Sequence, residues 1–203
     1  IRSRRELQEE MMRRQGGLLV GTAEVDRLLA HLDASFLLDS HRYQEARAER
    51  ISRFSSQTIR PAVHCGQSYP EDPVKLRSRL DDIMGKKASG VLAKKRLISL
   101  VAPHIDLSVG EKAYACTYQI LKQKRQQLSD QSKPLRVIIL GTGHQLQSGL
   151  FSLSKKDFET PLGVSPTEKG AVDRLAEAGK GVMAPDDFVH RSEHSIEFQL
   201  IFL

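Results

Sequence analysis

Several things are scarce in this chain, and each scarcity excludes something. There is no tryptophan, and aromatic residues make up 5% of the sequence. A nucleic-acid surface that interleaves stacking rings with Lys and Arg is therefore not expected. Only two cysteines occur, Cys65 and Cys116, and neither lies in a CxxC pair. Two thiols are too few for a disulfide framework, and reduced cysteines in a cytoplasmic protein are the expectation. No apolar run reaches the roughly 18 residues of a membrane span. The basic start, Ile1-Arg2-Ser3-Arg4-Arg5, has no apolar segment behind it, so a signal peptide is not expected. An initiator methionine is missing too, so the natural start is expected upstream.

What is present is an ordinary globular composition with a mild basic excess. The 203 residues carry 31 Lys+Arg against 25 Asp+Glu, a net charge of +6. That excess is not concentrated. Residues 1–60 hold 11 basic against 9 acidic residues, and the remainder is similarly mixed. A solvated basic surface accounts for it without a nucleic-acid partner.

Residues 1–57 read as a small helical region. Val25, Leu28, Leu29 and Leu32 recur at helix spacing behind Gly21-Thr22, with Thr22 as the expected N-cap. Phe36-Leu37-Leu38 follows as a short apolar element, and Ser40 is placed to cap a charged helix running to about Arg53. Serine, proline and glycine then dominate to Pro73, which sets a domain boundary near residue 57. Asp72-Pro73 opens a helix bearing Val74, Leu76, Leu80 and Ile83, and a polar connection is expected over residues 86–95.

Beyond it the pattern is βαβ. Leu97–Ala102 and Val137–Leu140 are short apolar runs of the kind that form buried parallel strands. The amphipathic stretch between them, from about Gly110 to Leu128, reads as the crossover helix, and Lys133-Pro134 restarts the chain after it. Residues 150–166 suggest a hairpin or edge strand. A helix is expected from Pro166-Thr167-Glu168 to the glycines at 179 and 181, and a last one from Ser192. The fold class expected from this order is α/β, a mostly parallel sheet with flanking helices.

Three histidines stand out by position. His104 and His144 lie just past the carboxyl ends of the two expected strands, where open α/β sheets bind ligands. His194 begins the last helix. Neutral imidazole suits zinc, copper and iron, so convergence of these three would make one metal site. Asp106, Glu193 and Glu197 are near enough in sequence to support it, as carboxylates that orient a ligating ring or accept a proton. His31, His41 and His190 read as surface residues. His64, in the turn-like Val63-His64-Cys65-Gly66, is ambiguous. Gly141-Thr142-Gly143 satisfies neither GxxxxGK[ST] nor GxGxxG, so a nucleotide loop is not expected.

Several motifs resemble the MEMO family, in particular the long bacterial members called AmmeMemoRadiSam system protein B. They are Ala102-Pro103-His104-Ile105-Asp106, Leu140-Gly141-Thr142-Gly143-His144, Lys156–Gly163 and Arg191–Gln199, preceded by Pro61–Pro70. The resemblance covers about residues 60–203, and the helical residues 1–57 resemble the extra N-terminal region of the long forms. It implies a fold like that of the class III extradiol dioxygenases. It also implies a metal on His104, His144 and His194, iron or copper, with zinc as the alternative. Members' biochemical activity is unsettled; the resemblance implies redox or dioxygenase-like non-haem-iron chemistry. By the same resemblance, a radical-SAM protein and an AMMECR-type protein are the partners. A non-enzymatic interaction module and a zinc hydrolase are the competing readings.

Two departures matter. Asp106 stands where many members carry glycine. The family's second half, including a cysteine that completes the site, has no counterpart in residues 58–203, and neither Cys65 nor Cys116 matches that cysteine by position. The chain is thus expected to be part of a longer protein with an incomplete site.

Overall fold

A computed structural model of the chain describes residues 3–86, 97–126 and 136–203. It divides into two compact units, residues 1–54 and 55–203.

The first unit is helical. α1 (Arg4–Arg14) starts at a reciprocal cap in which Ser3 and Glu6 satisfy each other's backbone amides. α2 (Thr22–Ala34) packs on α1 and buries Val25. Its N-cap is Gly21, so Thr22 is the first helical residue rather than the cap. Phe36-Leu37-Leu38 forms no regular element; Phe36 takes a positive φ of 58° in the turn that ends α2. α3 (His41–Ser55) follows, with the Tyr43 amide donating to Ser40 Oγ at 3.3 Å.

In the second unit β1 (Ile59–Arg60) runs parallel to β2 (Asp157–Thr160), and β2 pairs antiparallel with β3 (Gly163–Ser165). The hairpin expected within residues 150–166 is therefore β2–β3. α4 (Pro73–Met84) begins where Asp72 accepts from the Lys75 amide, with proline in its first turn. It buries Leu76, Leu80 and Ile83 but leaves Val74 exposed. α5 (Leu107–Gln126) starts three residues earlier than the sequence suggests, because Asp106 Oδ1 accepts from the Ser108 amide. α6 (Lys169–Ala178) ends at Gly179. A 3₁₀ turn at Phe188–Arg191 leads into the short α7 (His194–Leu200). Leu76, Leu80 and Ile83 of α4, Leu107, Tyr114, Ala115 and Tyr118 of α5, and Phe198 with Ile201 at α7 form one apolar core. No helix among the described residues is long and apolar enough to cross a membrane.

Two expectations are corrected. Leu97–Ala102 and Val137–Leu140 are not buried strands: Ile98, Val101 and Leu140 are each more than 80% exposed. Among the described residues neither run has a ladder partner. Without cross-strand hydrogen bonds an apolar run has no reason to hold an extended, buried form. The sheet is consequently small and mixed, not mostly parallel. The polar connection expected at 86–95 lies outside the described residues apart from Lys86, as do Lys133-Pro134 and the last two residues expected of α5.

Candidate metal centre

The three histidines meet despite the missing strands, and α7 is what gathers them. Seven residues are too few for a self-sustaining helix, so its position depends on its packing and side-chain bonds. Phe198 and Ile201 anchor it in the core. Gln199 Nε2 donates to the Pro103 carbonyl at 3.0 Å, and Gln199 Oε1 accepts from the Tyr118 hydroxyl at 2.6 Å. That ties the residue before His104 to α7. Ser195 Oγ accepts from the Thr142 amide at 2.9 Å, and Glu193 accepts from the His144 amide at 3.2 Å. Those two bonds hold the His144 segment. Gly141 permits the approach: a Cβ there would lie 2.6 Å from both Ser195 Oγ and Ile196 Cγ1.

One ligand nitrogen from each of His104, His144 and His194 lies within 4.8 Å of the others. The ring centroids are 4.8 Å apart for His144 and His194, 5.3 Å for His104 and His144, and 5.6 Å for His104 and His194. His104 and His194 are half-buried and His144 is exposed. Burial pushes the His194 pKa below its ordinary value, and the His144, His64 and His104 rings add to it against the opposing pull of Glu193. The shift favours the neutral imidazole, the form a metal needs.

Glu193 sits where the sequence reading put a supporting carboxylate. Its oxygens are 3.0 and 3.1 Å from His144 Nδ1. A carboxylate only accepts at neutral pH, so Nδ1 carries the proton and Nε2 is left as the donor atom. Burial alone would raise the Glu193 pKa; hydrogen bonds from Ser195 and His144 outweigh it and hold the carboxyl at about 2.

Glu197 is close to the centre but engaged elsewhere. It is fully buried and ion-paired with the equally buried Arg60. It also accepts from the Tyr69 hydroxyl and, at 2.9 Å, from the His64 amide. Arg60 spends its other donors on the carbonyls of Pro61, His190 and Glu193, at 2.8, 3.0 and 2.7 Å. The guanidinium thus pins His190 within the 3₁₀ turn and Glu193 just before His194. Asp106 caps α5 through its bonds with Ser108, which with the Ser108 hydroxyl first keep its carboxyl below the usual range.

His190 differs from its sequence reading, and His64, ambiguous there, gains a definite place. His190 is buried, not a surface residue, with Nε2 3.3 Å from the Ser152 carbonyl and its ring edge-on to Phe158. His64 lies beside the site: its ring is 5.7 Å from His194, edge to face. It lines a cavity of about 530 Å³ together with Ser68, Phe198, His194 and the stretch His104–Asp106. Arg60 and Tyr69 had no signal in the sequence, since Arg60 and Glu197 are 137 positions apart. Cys65 packs against the apolar core, and burial raises its pKa. Neither it nor Cys116 belongs to the three-histidine group.

The profile of the Memo-like protein family matches residues 60–203. A MEMO1 family protein of Aquifex aeolicus is 28% identical over 98% of this chain and 50% of its own length. Relatives of the same designation from Pyrococcus furiosus and Methanopyrus kandleri are 30% and 33% identical over 71% and 70% of this chain, and 47% and 50% of their own. The chain spans about half the length of the curated relatives it matches. No solved structure matches it significantly. With the family profile matching residues 60–203, from β1 through α7, the chain belongs to the Memo-like protein family.

Proposed function

We propose that His104, His144 and His194 hold one metal ion, iron or copper, and that the family protein uses it for redox, dioxygenase-like chemistry on a fold related to the class III extradiol dioxygenases. The observation that carries the reading is the approach of three ligand nitrogens to within 4.8 Å. Bonds of about 2.0–2.1 Å put two nitrogens of a tetrahedral or facial site about 2.9–3.4 Å apart, so binding asks the widest pair of ligand atoms to close by about 1.4–1.9 Å. The donor set fits. His144 is already oriented by Glu193 with Nε2 available, and burial favours the neutral form of His194.

Iron or copper so held supplies electron transfer and open positions for ligands. The chain's own groups do the rest. Glu193 fixes the His144 tautomer and compensates positive charge. Glu197 and Arg60 fix the start of α7, and hence His194. Phe198 and Ile105 supply an apolar wall to the adjoining cavity.

The test is metal content. Equilibrium dialysis of the full chain against ferrous iron, cupric copper and zinc, read by elemental analysis, should give about one ion per chain. His104→Ala should lose it while the far-ultraviolet circular dichroism stays unchanged. A folded chain that takes up none of the three ions refutes the reading. Selective retention of zinc would replace the redox assignment with a hydrolytic one.

A further inference from the structure

The cavity beside the three histidines has a wall that the metal reading does not use. His64 Nε2 is 3.1 Å from the Ser192 carbonyl. A carbonyl only accepts, so Nε2 carries a proton, and in the neutral imidazole Nδ1 is the nitrogen with its lone pair free. Among the described residues Nδ1 has no hydrogen-bond partner, and it is not a sealed atom. The ring is fixed on three sides: Glu197 takes its backbone amide, Ser192 takes Nε2–H, and Phe198 and His194 pack edge-on against it at 5.8 and 5.7 Å. It is therefore a rigid acceptor on the cavity wall.

The remaining lining limits what that acceptor serves. Among the described residues no lysine or arginine lines the cavity, and the one charged side chain there is the carboxylate of Asp106. With no ion on the histidines, as in the chelator-treated chain, an anionic ligand would meet repulsion and no counter-charge. Phe198 and Ile105 offer apolar surface, and about 530 Å³ is room for a small organic molecule.

We propose that His64 is a positioning residue whose Nδ1 accepts a hydrogen bond from an uncharged, hydroxyl-bearing small molecule with an apolar body, seated in the cavity beside His104 and His194. The assignment rests on the metal-centre reading only in taking this cavity as the substrate's.

Three probes of one size separate the possibilities: benzyl alcohol, benzyl methyl ether and benzoate. Each is titrated into the full, chelator-treated chain and followed by ligand-observed NMR, with ¹⁵N shifts of the His64 ring as a second readout. Benzyl alcohol should bind and move the His64 Nδ1 resonance. The ether, which lacks the donor, should bind about threefold to tenfold more weakly, the worth of one neutral hydrogen bond. Benzoate should bind more weakly than the alcohol. His64→Phe, which keeps a ring without the acceptor, should erase the difference between alcohol and ether, and His64→Asn should restore part of it.

Failure of the alcohol to bind, equal binding of alcohol and ether to the wild-type chain, tighter binding of benzoate, or a difference that survives in His64→Phe would each overturn the assignment. The wild-type comparison does not depend on any variant folding. Metal content measured on the same preparations keeps the two proposals apart: a chain that takes no metal yet discriminates alcohol from ether sinks the metal centre alone, and a chain that binds one ion without discriminating sinks the His64 role alone.

Discussion

Replacing Glu197 by Gln should be among the most damaging conservative changes in the second unit. The carboxylate is fully buried and answers three donors at once: the Arg60 guanidinium, the Tyr69 hydroxyl and the His64 amide. Gln preserves the volume but removes the charge, leaving Arg60 as a buried cation whose remaining partners are carbonyls. Breaking one side of a buried pair costs about 3–5 kcal/mol. For a unit of this size each kcal/mol moves Tm by about 2–4 °C, so the expected drop is about 6–20 °C. Differential scanning calorimetry of the full chain reads it, provided the two units' transitions are resolved. The companion variant is Arg60→Met with Glu197→Leu. It removes both charges, and should be less destabilised than Glu197→Gln because no unpaired ion remains. A Glu197→Gln transition within about 2 °C of wild type, or a double variant that loses the sum of two separate costs, would refute the view that this pair acts as one buried unit.

Three further outcomes follow from the same geometry. Glu193→Gln keeps an acceptor near His144 but loses the charge, and should weaken metal binding about tenfold to a hundredfold in a competition titration against a chromogenic chelator. Gly141→Ala places a methyl group 2.6 Å from Ser195 Oγ and Ile196 Cγ1, and should cost about 1–3 kcal/mol in urea unfolding while loosening the His144 segment. His190 is held neutral by burial, its pKa below 6.5. The unfolded chain therefore takes up a proton below about pH 6.5 that the folded chain refuses. Stability from this group is complete above that pH and falls as the pH drops toward the folded value, by at most about 1.4 kcal/mol per pH unit. Urea midpoints at pH 7.5, 6.5 and 5.5 should show a shallower acid decline in His190→Gln than in wild type, and equal declines would exclude the buried neutral histidine.

The elements legible in the sequence are those whose signals are local. Asp72-Pro73 opens α4, Ser40 precedes α3, and Gly179 ends α6, each by satisfying or terminating backbone groups within a few residues. The two apolar runs at 97–102 and 137–140 carry the composition of buried strands, yet composition does not supply a neighbour. A parallel strand is held by partners distant in sequence, and this chain spans about half the length of its relatives. His190 was misread for a similar reason. Its burial comes from Ser152 and Phe158, more than 30 positions away, and no periodic pattern around it announces that.

The last helix shows how a motif can be legible while the work of its residues is not. Spacing alone sets Glu197 on the same side of a helix as His194, which invites a role at the metal. The structure distributes the residues differently. Successive positions on a helix turn by 100°, so Ser195 and Gln199 share one side, while Glu193 precedes the helix as its extended N-cap. Ser195 and Gln199 draw in the backbone before His144 and His104. Glu193 meets the His144 ring, and Glu197 faces back into the unit to Arg60, Tyr69 and the His64 amide. Glu193 and Ser195 together thus fix the His144 segment, Gln199 the segment before His104, and Glu197 the wall at His64. That is why three segments without a complete sheet beneath them still bring their histidines together. A substitution in α7 should therefore be read by which segment it releases: loss of Gln199 should displace His104, and loss of Ser195 should displace His144.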